Sequence, residues 1–134
     1  IQLIGVRHEQ AAALMADGYA RATGRPGVCL ATRGPGTTNL LTGIYQASVA
    51  HSPVVALAGG AEQENYYRDS FQELDLVGMM RPVTKLAMQL DRPDRVPGLS
   101  KTTRTAGMPR RMGDGLVLVE RRNYPCSPEG IAVN

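Results

Sequence analysis

Apolar and polar positions along the chain fall into blocks rather than single alternations. Ile1 to Val6 is a short apolar, partly β-branched run that predicts a buried strand, and residues 8–23 follow with no proline and only Gly18 as a breaker, which predicts a helix. On that helix Ala12, Met15, Tyr19 and Ala22 recur at three- and four-residue spacing and form the expected buried stripe. Ala11, Ala13 and Gly18 are small enough for close approach to a sheet, and Gly24 stops the helix. "VCLAT", residues 28–32, reads as a strand, "RGPG" as a loop, and "TTNLLTGIYQASVAHS", residues 37–52, as a second helix opened by hydroxyl residues and closed by Pro53. "VVALAGG", residues 54–60, is another apolar strand. Residues 61–70 are polar and loop-like, "FQELDLVGMM", 71–80, predicts a short helix, and "PVTKLAMQL", 82–90, an extended segment. Pro97, Gly98, Thr102, Thr103, Thr105 and Gly107 are all poor in helix interiors, so no element is assigned to 92–112. "GLVLVE", 115–120, is a last strand. Wholly apolar strands alternating with helices predict an α/β fold with a doubly wound, mainly parallel sheet and helices on both faces.

Composition narrows the class without changing that reading. The 134 residues suffice for one domain with a core but are few for an enzyme that must enclose a cofactor. A hydrophobic share of 43% and a mean hydropathy of -0.20 describe an ordinary globular chain. No apolar run approaches the roughly 20 residues of a membrane span, and no basic-then-apolar leader begins the chain, so a cytoplasmic setting with no membrane partner is expected. Cys29 and Cys126 lie far apart without metal-ligand spacing; Cys29 is expected in a buried strand and Cys126 as a free thiol. The net charge of +3 arises from the second half, where residues 81–122 hold ten Arg or Lys against four acids. Those cations are scattered without aromatic interleaving, which favours a solvated basic face over a nucleic-acid surface.

In a parallel sheet ligands gather beyond the carboxyl ends of the strands. That rule places Glu9, "RGPGTTN" and "GGAEQENYYRDSFQE" on one edge, after the first three expected strands. Alone, Glu9 reads as a helix-start acid favoured by the macrodipole, and "GPG" as a tight turn. "RGPGTTN" also suggests a phosphate cradle at a helix start, but it lacks the Lys-Ser/Thr of a P-loop and the full GxGxxG pattern.

Taken together, "RHEQAAALMADGYARATGRPGVCLATRGPGTTNLLTGIYQASVAHSPVVALAGG" and "FQELDLVGMMRPVTK" resemble the pyrimidine-binding domain of thiamine-diphosphate-dependent enzymes, in the acetolactate synthase-like branch. The resemblance covers residues 4–90 strongly and 91–122 weakly. It implies that Glu9 hydrogen-bonds the N1′ nitrogen of the cofactor's aminopyrimidine and promotes the imino tautomer that deprotonates the thiazolium carbon, which then attacks a 2-oxo acid such as pyruvate. A carboxyl at the edge of an apolar pocket suits proton sharing, because desolvation raises its pKa. Gly34, Pro35 and Gly36 are implied to pack beside the ring, with Asn39 nearby, and Phe71, Gln72 and Lys85 match positions that line the substrate side. His8 is expected to position Glu9 rather than react, and His51 to end the second helix, favoured by the dipole.

The resemblance also sets boundaries. Residues 1–122 are read as a partial pyrimidine-binding domain and 123–134 as a tail or linker. The family's opening strand-helix unit is absent before Ile1, which predicts exposed apolar edges at Ile1–Val6 and Val54–Ala58 and a tendency to self-associate. Magnesium and the diphosphate are expected on a separate pyrophosphate-binding domain of the same or another chain, in a homo-oligomer. "GDG", 113–115, resembles that domain's metal motif but stands where relatives turn into the last strand, so no metal ligand is assigned here. Two alternatives keep the fold with other roles: a non-catalytic interaction module, and the same domain of a sulfoacetaldehyde acetyltransferase-like enzyme, which "AHSPVV" also resembles.

Overall fold

A computed structural model describes residues 2–61, 65, 67–90 and 116–120, the last stretch as backbone only. Helix α1 spans Glu9–Thr23, strand β1 Gly27–Ala31, helix α2 Pro35–Val49 and strand β2 Val54–Gly59. A short helix α3, Leu76–Met80, leads through a 3₁₀ turn at Arg81–Val83 into β3, Leu86–Leu90, and β4 is Leu116–Glu120. The four strands form one sheet in the order β1-β2-β4-β3, and every pair is parallel. The α/β class and the parallel sheet are those read from the blocks of apolar sequence. The segment 92–112 and the expected tail, 123–134, lie outside the described residues, as does Cys126.

Burial explains the helix faces. Cys29, Val54, Ala56 and Ala58 point from the sheet into one cluster with Ala13, Ala16 and Ala20 of α1, Leu40, Ile44 and Ala47 of α2, and Leu76 and Met80 of α3. On the other side of the strands Val28 and Leu30 are 60% and 57% exposed, so the described helices cover one face.

The stripe on α1 is shifted by one residue from the expected one. Met15 and Tyr19 are 47% and 48% exposed, Ala22 is exposed and Ala12 only half-buried. The buried set is Ala13, Ala16, Asp17 and Ala20. The cause is close packing: a Cβ on Gly43 of α2 would stand 2.4 Å from Ala13 Cβ, a spacing that only alanine and glycine permit. Asp17 belongs to this face. It is buried and accepts from Arg21 Nε at 2.9 Å. Burial raises its carboxyl, but Arg21, with a smaller contribution from the neighbouring Ser52 hydroxyl, outweighs that and leaves it below its ordinary value. Ser52 Oγ itself completes no hydrogen bond of good geometry.

Three other expectations are corrected. Residues 2–6 form no strand; they run exposed past α1 and β1, because they pair with neither neighbour's backbone, and enclose with them an open groove of about 1110 Å³. Val54–Ala58 is no edge, since β2 is flanked by β1 and β4 and its Val54, Ala56 and Ala58 are buried. The helix expected over 71–80 starts only at Leu76, where Asp75 caps it by accepting from the Gly78 N–H at 2.8 Å.

At the far end of α2, Ser52 N–H bonds to Ala47 O at 2.9 Å and His51 N–H to Ser48 O at 3.0 Å, a Schellman closure with His51 at φ +58. His51 thus ends the helix as expected. Cys29 is buried, and that burial pushes its thiol up to about 12. Among the described residues no helix is long and apolar enough to cross a membrane.

Candidate functional site

The start of α1 is fixed by His8, whose backbone is extended and whose Nδ1 accepts from Gln10 N–H at 3.2 Å. Glu9 is therefore the first helical residue, where the dipole favours a carboxylate. Because α1 returns through a short turn into β1 and packs along it, its first turn lies at the carboxyl end of that strand. The next helix begins there too. Pro35 opens α2, and the buried Thr37 hydroxyl donates to Thr32 O at 2.8 Å, tying the first turn of α2 to the end of β1.

These two helix starts meet through one bond. Asn39 Nδ2 donates to Glu9 Oε2 at 3.0 Å, across thirty residues of sequence. That bond, with one from the backbone of Glu9 itself, outweighs the desolvation opposing them, and the nearby His8 adds to it; the Glu9 carboxyl lies below its ordinary value. The direction corrects the expectation of a raised pKa, because Glu9 is only half-buried here and already hydrogen-bonded in its charged form.

Glycine is required on both sides of Pro35. A Cβ on Gly36 would lie 2.7 Å from Thr32 Cγ2 and 3.3 Å from Glu9 Oε1. Gly34 has φ 55 and ψ -114, which L side chains avoid, and a Cβ there would meet Gln72 O at 2.7 Å and Gln72 Cβ at 2.8 Å. The glycine loop thus has the Glu9 carboxylate against one end and Gln72 against the other.

Glu9, Gly34, Pro35, Gly36, Asn39 and Gln72 are brought together, and Phe71 joins them at the rim. It is 74% exposed, and the Arg33 guanidinium stands 5.9 Å from its ring centroid. Lys85 is not brought there. It precedes Leu86, which is in register through Leu116 and Val55 with Val28, so Lys85 sits at the amino end of the sheet. Thr32 lies roughly 16 Å away along the strand direction, five residues at strand rise. Sequence reasoning missed the Asn39–Glu9 bond and the part played by Arg33; a polar residue in the first turns of a helix beside a known carboxylate was the available signal for the first. Among the described residues no group of three metal-ligating side chains occurs.

Residues 1–79 match the family model described as thiamine pyrophosphate enzyme, N-terminal TPP binding domain. The chain belongs to that family. Among curated proteins it is 42% identical over 130 aligned residues to the probable acetolactate synthase large subunit of Methanocaldococcus jannaschii, covering 89% of this chain and 22% of that protein. It is 48% identical over 96 residues to the acetolactate synthase isozyme 3 large subunit of Escherichia coli, covering 72% of this chain and 17% of that one. With the acetolactate synthase of Arthrospira platensis the identity is 43% over 112 residues, 84% of this chain and 19% of the relative. The chain thus spans about a fifth of the length of these relatives.

The residues present fit the pyrimidine end of thiamine diphosphate. One Glu9 oxygen is oriented by Asn39 and the other lies 3.3 Å from where a Cβ on Gly36 would stand, so glycine at 36 lets the carboxylate lie against the loop backbone.

Proposed function

We propose that this chain supplies the pyrimidine side of a thiamine-diphosphate site in an acetolactate synthase-like enzyme that decarboxylates and carboligates 2-oxo acids such as pyruvate. The observation that carries this is the Glu9 carboxylate held over Gly36 by Asn39 at the carboxyl edge of the sheet. When bound, thiamine diphosphate supplies the carbon nucleophile that adds to the 2-oxo acid. On this chain Glu9 Oε1, when protonated, would donate to the N1′ nitrogen of the aminopyrimidine and share that proton with it, while Asn39 fixes the carboxylate plane. Gly34 and Gly36 receive the ring, and Phe71 and Gln72 line the substrate side. Magnesium and the diphosphate are held by a pyrophosphate-binding domain, and the working unit is a homo-oligomer.

The test is a chimera in which this chain replaces the aligned segment of the Escherichia coli isozyme 3 large subunit. With cofactor and magnesium it is expected to form acetolactate from pyruvate. Glu9→Gln is expected to change cofactor affinity modestly while slowing exchange of the thiazolium C2 proton for deuterium by roughly 10²–10⁴-fold, the usual range for general acid-base assistance. An unchanged exchange rate would leave Glu9 a helix-start acid. The chain by itself is expected to bind thiamine diphosphate weakly, and submicromolar affinity in calorimetry would contradict the one-sided assignment.

A further inference from the structure

The loop that delivers Phe71 and Gln72 is built in an unfavourable way. Tyr67, Asp69 and Gln72 all take left-handed backbone conformations, with φ of 63, 50 and 60. Such residues persist only where surrounding contacts determine them. Here the contacts converge on one side chain. Glu73 Oε1 accepts from Tyr67 N–H at 2.5 Å, and Glu73 Oε2 accepts from Ser70 N–H at 3.0 Å and from Ser70 Oγ at 3.2 Å. The Tyr67 N–H bond, followed by that of Ser70 N–H, lowers the Glu73 carboxyl below its ordinary value. Glu73 N–H in turn bonds to Ser70 O at 2.9 Å, closing a turn with Gln72 at its third position.

The turn has one consequence for the site: it seats Gln72 directly on Gly34, so closely that a Cβ on that glycine would overlap Gln72 O at 2.7 Å. It also brings Phe71 under the Arg33 guanidinium. We infer that Glu73 is a positioning residue for the substrate side, a carboxylate clamp that holds residues 67–72 against the glycine loop so that Phe71 and Gln72 present one fixed surface to the 2-oxo acid. The clamp needs a carboxylate because two backbone N–H groups approach its two different oxygens, and a carboxamide offers only one acceptor oxygen. The substrate half of this inference rests on the function proposed above; the clamp itself does not.

Two measurements separate these halves. In the 134-residue chain, amide hydrogen exchange at Tyr67, Ser70, Gln72 and Gly34 is expected to accelerate in Glu73→Gln by roughly tenfold or more, the size of one lost charge-assisted hydrogen bond. Amides of β1 and α2 beyond Asn39 are expected to stay unchanged. Ser70→Ala, which removes only the 3.2 Å bond, is expected to give a smaller effect in the same places. In the chimera, Glu73→Gln is expected to raise KM for pyruvate about tenfold while kcat and thiamine diphosphate affinity change less than about twofold, because Glu9 and Asn39 are untouched. A merely structural role would raise KM and lower kcat and thiamine diphosphate affinity together. Unchanged exchange at Gln72 and Gly34 would overturn the clamp. Faster exchange with an unchanged KM would overturn the positioning role, and a chimera that binds no cofactor even with Glu73 intact would overturn the function proposed above and the substrate half with it.

Discussion

Replacing Gly34 by Ala tests the geometry on which both proposals stand. Two costs add at this position. The backbone at φ 55 and ψ -114 is open to glycine, and an L side chain held there costs about 1–3 kcal/mol. The new methyl would also stand 2.7 Å from Gln72 O and 2.8 Å from Gln72 Cβ, where about 3.5–4.0 Å is comfortable. Overpacking of that kind costs about 1–3 kcal/mol where neighbours cannot move. Gln72 belongs to a half-buried turn that can yield, so the lower half of the summed range applies, about 2–4 kcal/mol. The assay is urea unfolding of the 134-residue chain followed by far-UV circular dichroism. A lower midpoint at unchanged slope is expected. Gly18→Ala serves as the internal control, since Gly18 is exposed inside α1 with nothing within 4 Å of an added Cβ, and it should gain up to about 1 kcal/mol. A Gly34→Ala midpoint equal to or above that of the parent would refute the close contact between the glycine loop and residue 72.

Gly43→Ala removes the close contact of α1 with α2: an added Cβ would lie 2.4 Å from Ala13 Cβ, so the same unfolding assay should show a loss of about 1–3 kcal/mol despite the better helix propensity. His51→Gly relieves a left-handed residue in the Schellman closure of α2 and should stabilise by about 1 kcal/mol; a destabilisation would mean that the imidazole itself holds the helix end. Asp17 contributes stability of the depressed-carboxylate kind, present above its unfolded pKa near 4 and lost as pH falls through the lower folded value. Midpoints measured from pH 7 down to pH 3 should therefore fall less steeply in Asp17→Asn than in the parent; parallel curves would count against the buried pair with Arg21.

The order of elements was legible because β1 and β2 are contiguous apolar blocks set off by Gly or Pro, and each long helix opens and closes on recognisable residues. Faces were less legible. On α1 large and small apolar residues alternate at adjacent positions, so periodicity alone placed Met15 and Tyr19 inside; the packing chose Ala13, Ala16 and Ala20, because α2 approaches through Gly43. The burial of Asp17 and its pairing with Arg21 one turn on follow from the shifted face and not from the apolar pattern. Ile1–Val6 has strand composition, yet composition cannot provide the neighbouring backbone that a strand must pair with. Within the site, Glu9 and the glycine loop are local signals, whereas the Asn39–Glu9 bond and the seating of Gln72 on Gly34 depend on how distant segments meet.

On the function proposed above, the lowered Glu9 carboxyl separates what this chain contributes from what a bound ring would add. Proton sharing near neutral pH calls for a carboxyl whose pKa is raised, yet here Asn39 stabilises the charged form and solvent reaches it, so the group is held below its ordinary value. The chain therefore fixes the position and plane of the carboxylate but not its proton affinity. Covering that carboxylate with an aromatic ring removes water from it and replaces the solvent by a nitrogen at Oε1, both of which favour the protonated form. Geometry supplied on one side and desolvation on the other is a division of labour that a measurement can separate. In the chimera, the Glu9 titration followed by carboxyl-carbon NMR should move upward when thiamine diphosphate and magnesium are added, and in Asn39→Ala the cofactor-free value should rise because its main stabilising bond is gone. A Glu9 titration that stays low in the loaded chimera would mean that the carboxylate acts as a fixed charge, and proton sharing at this residue would have to be abandoned.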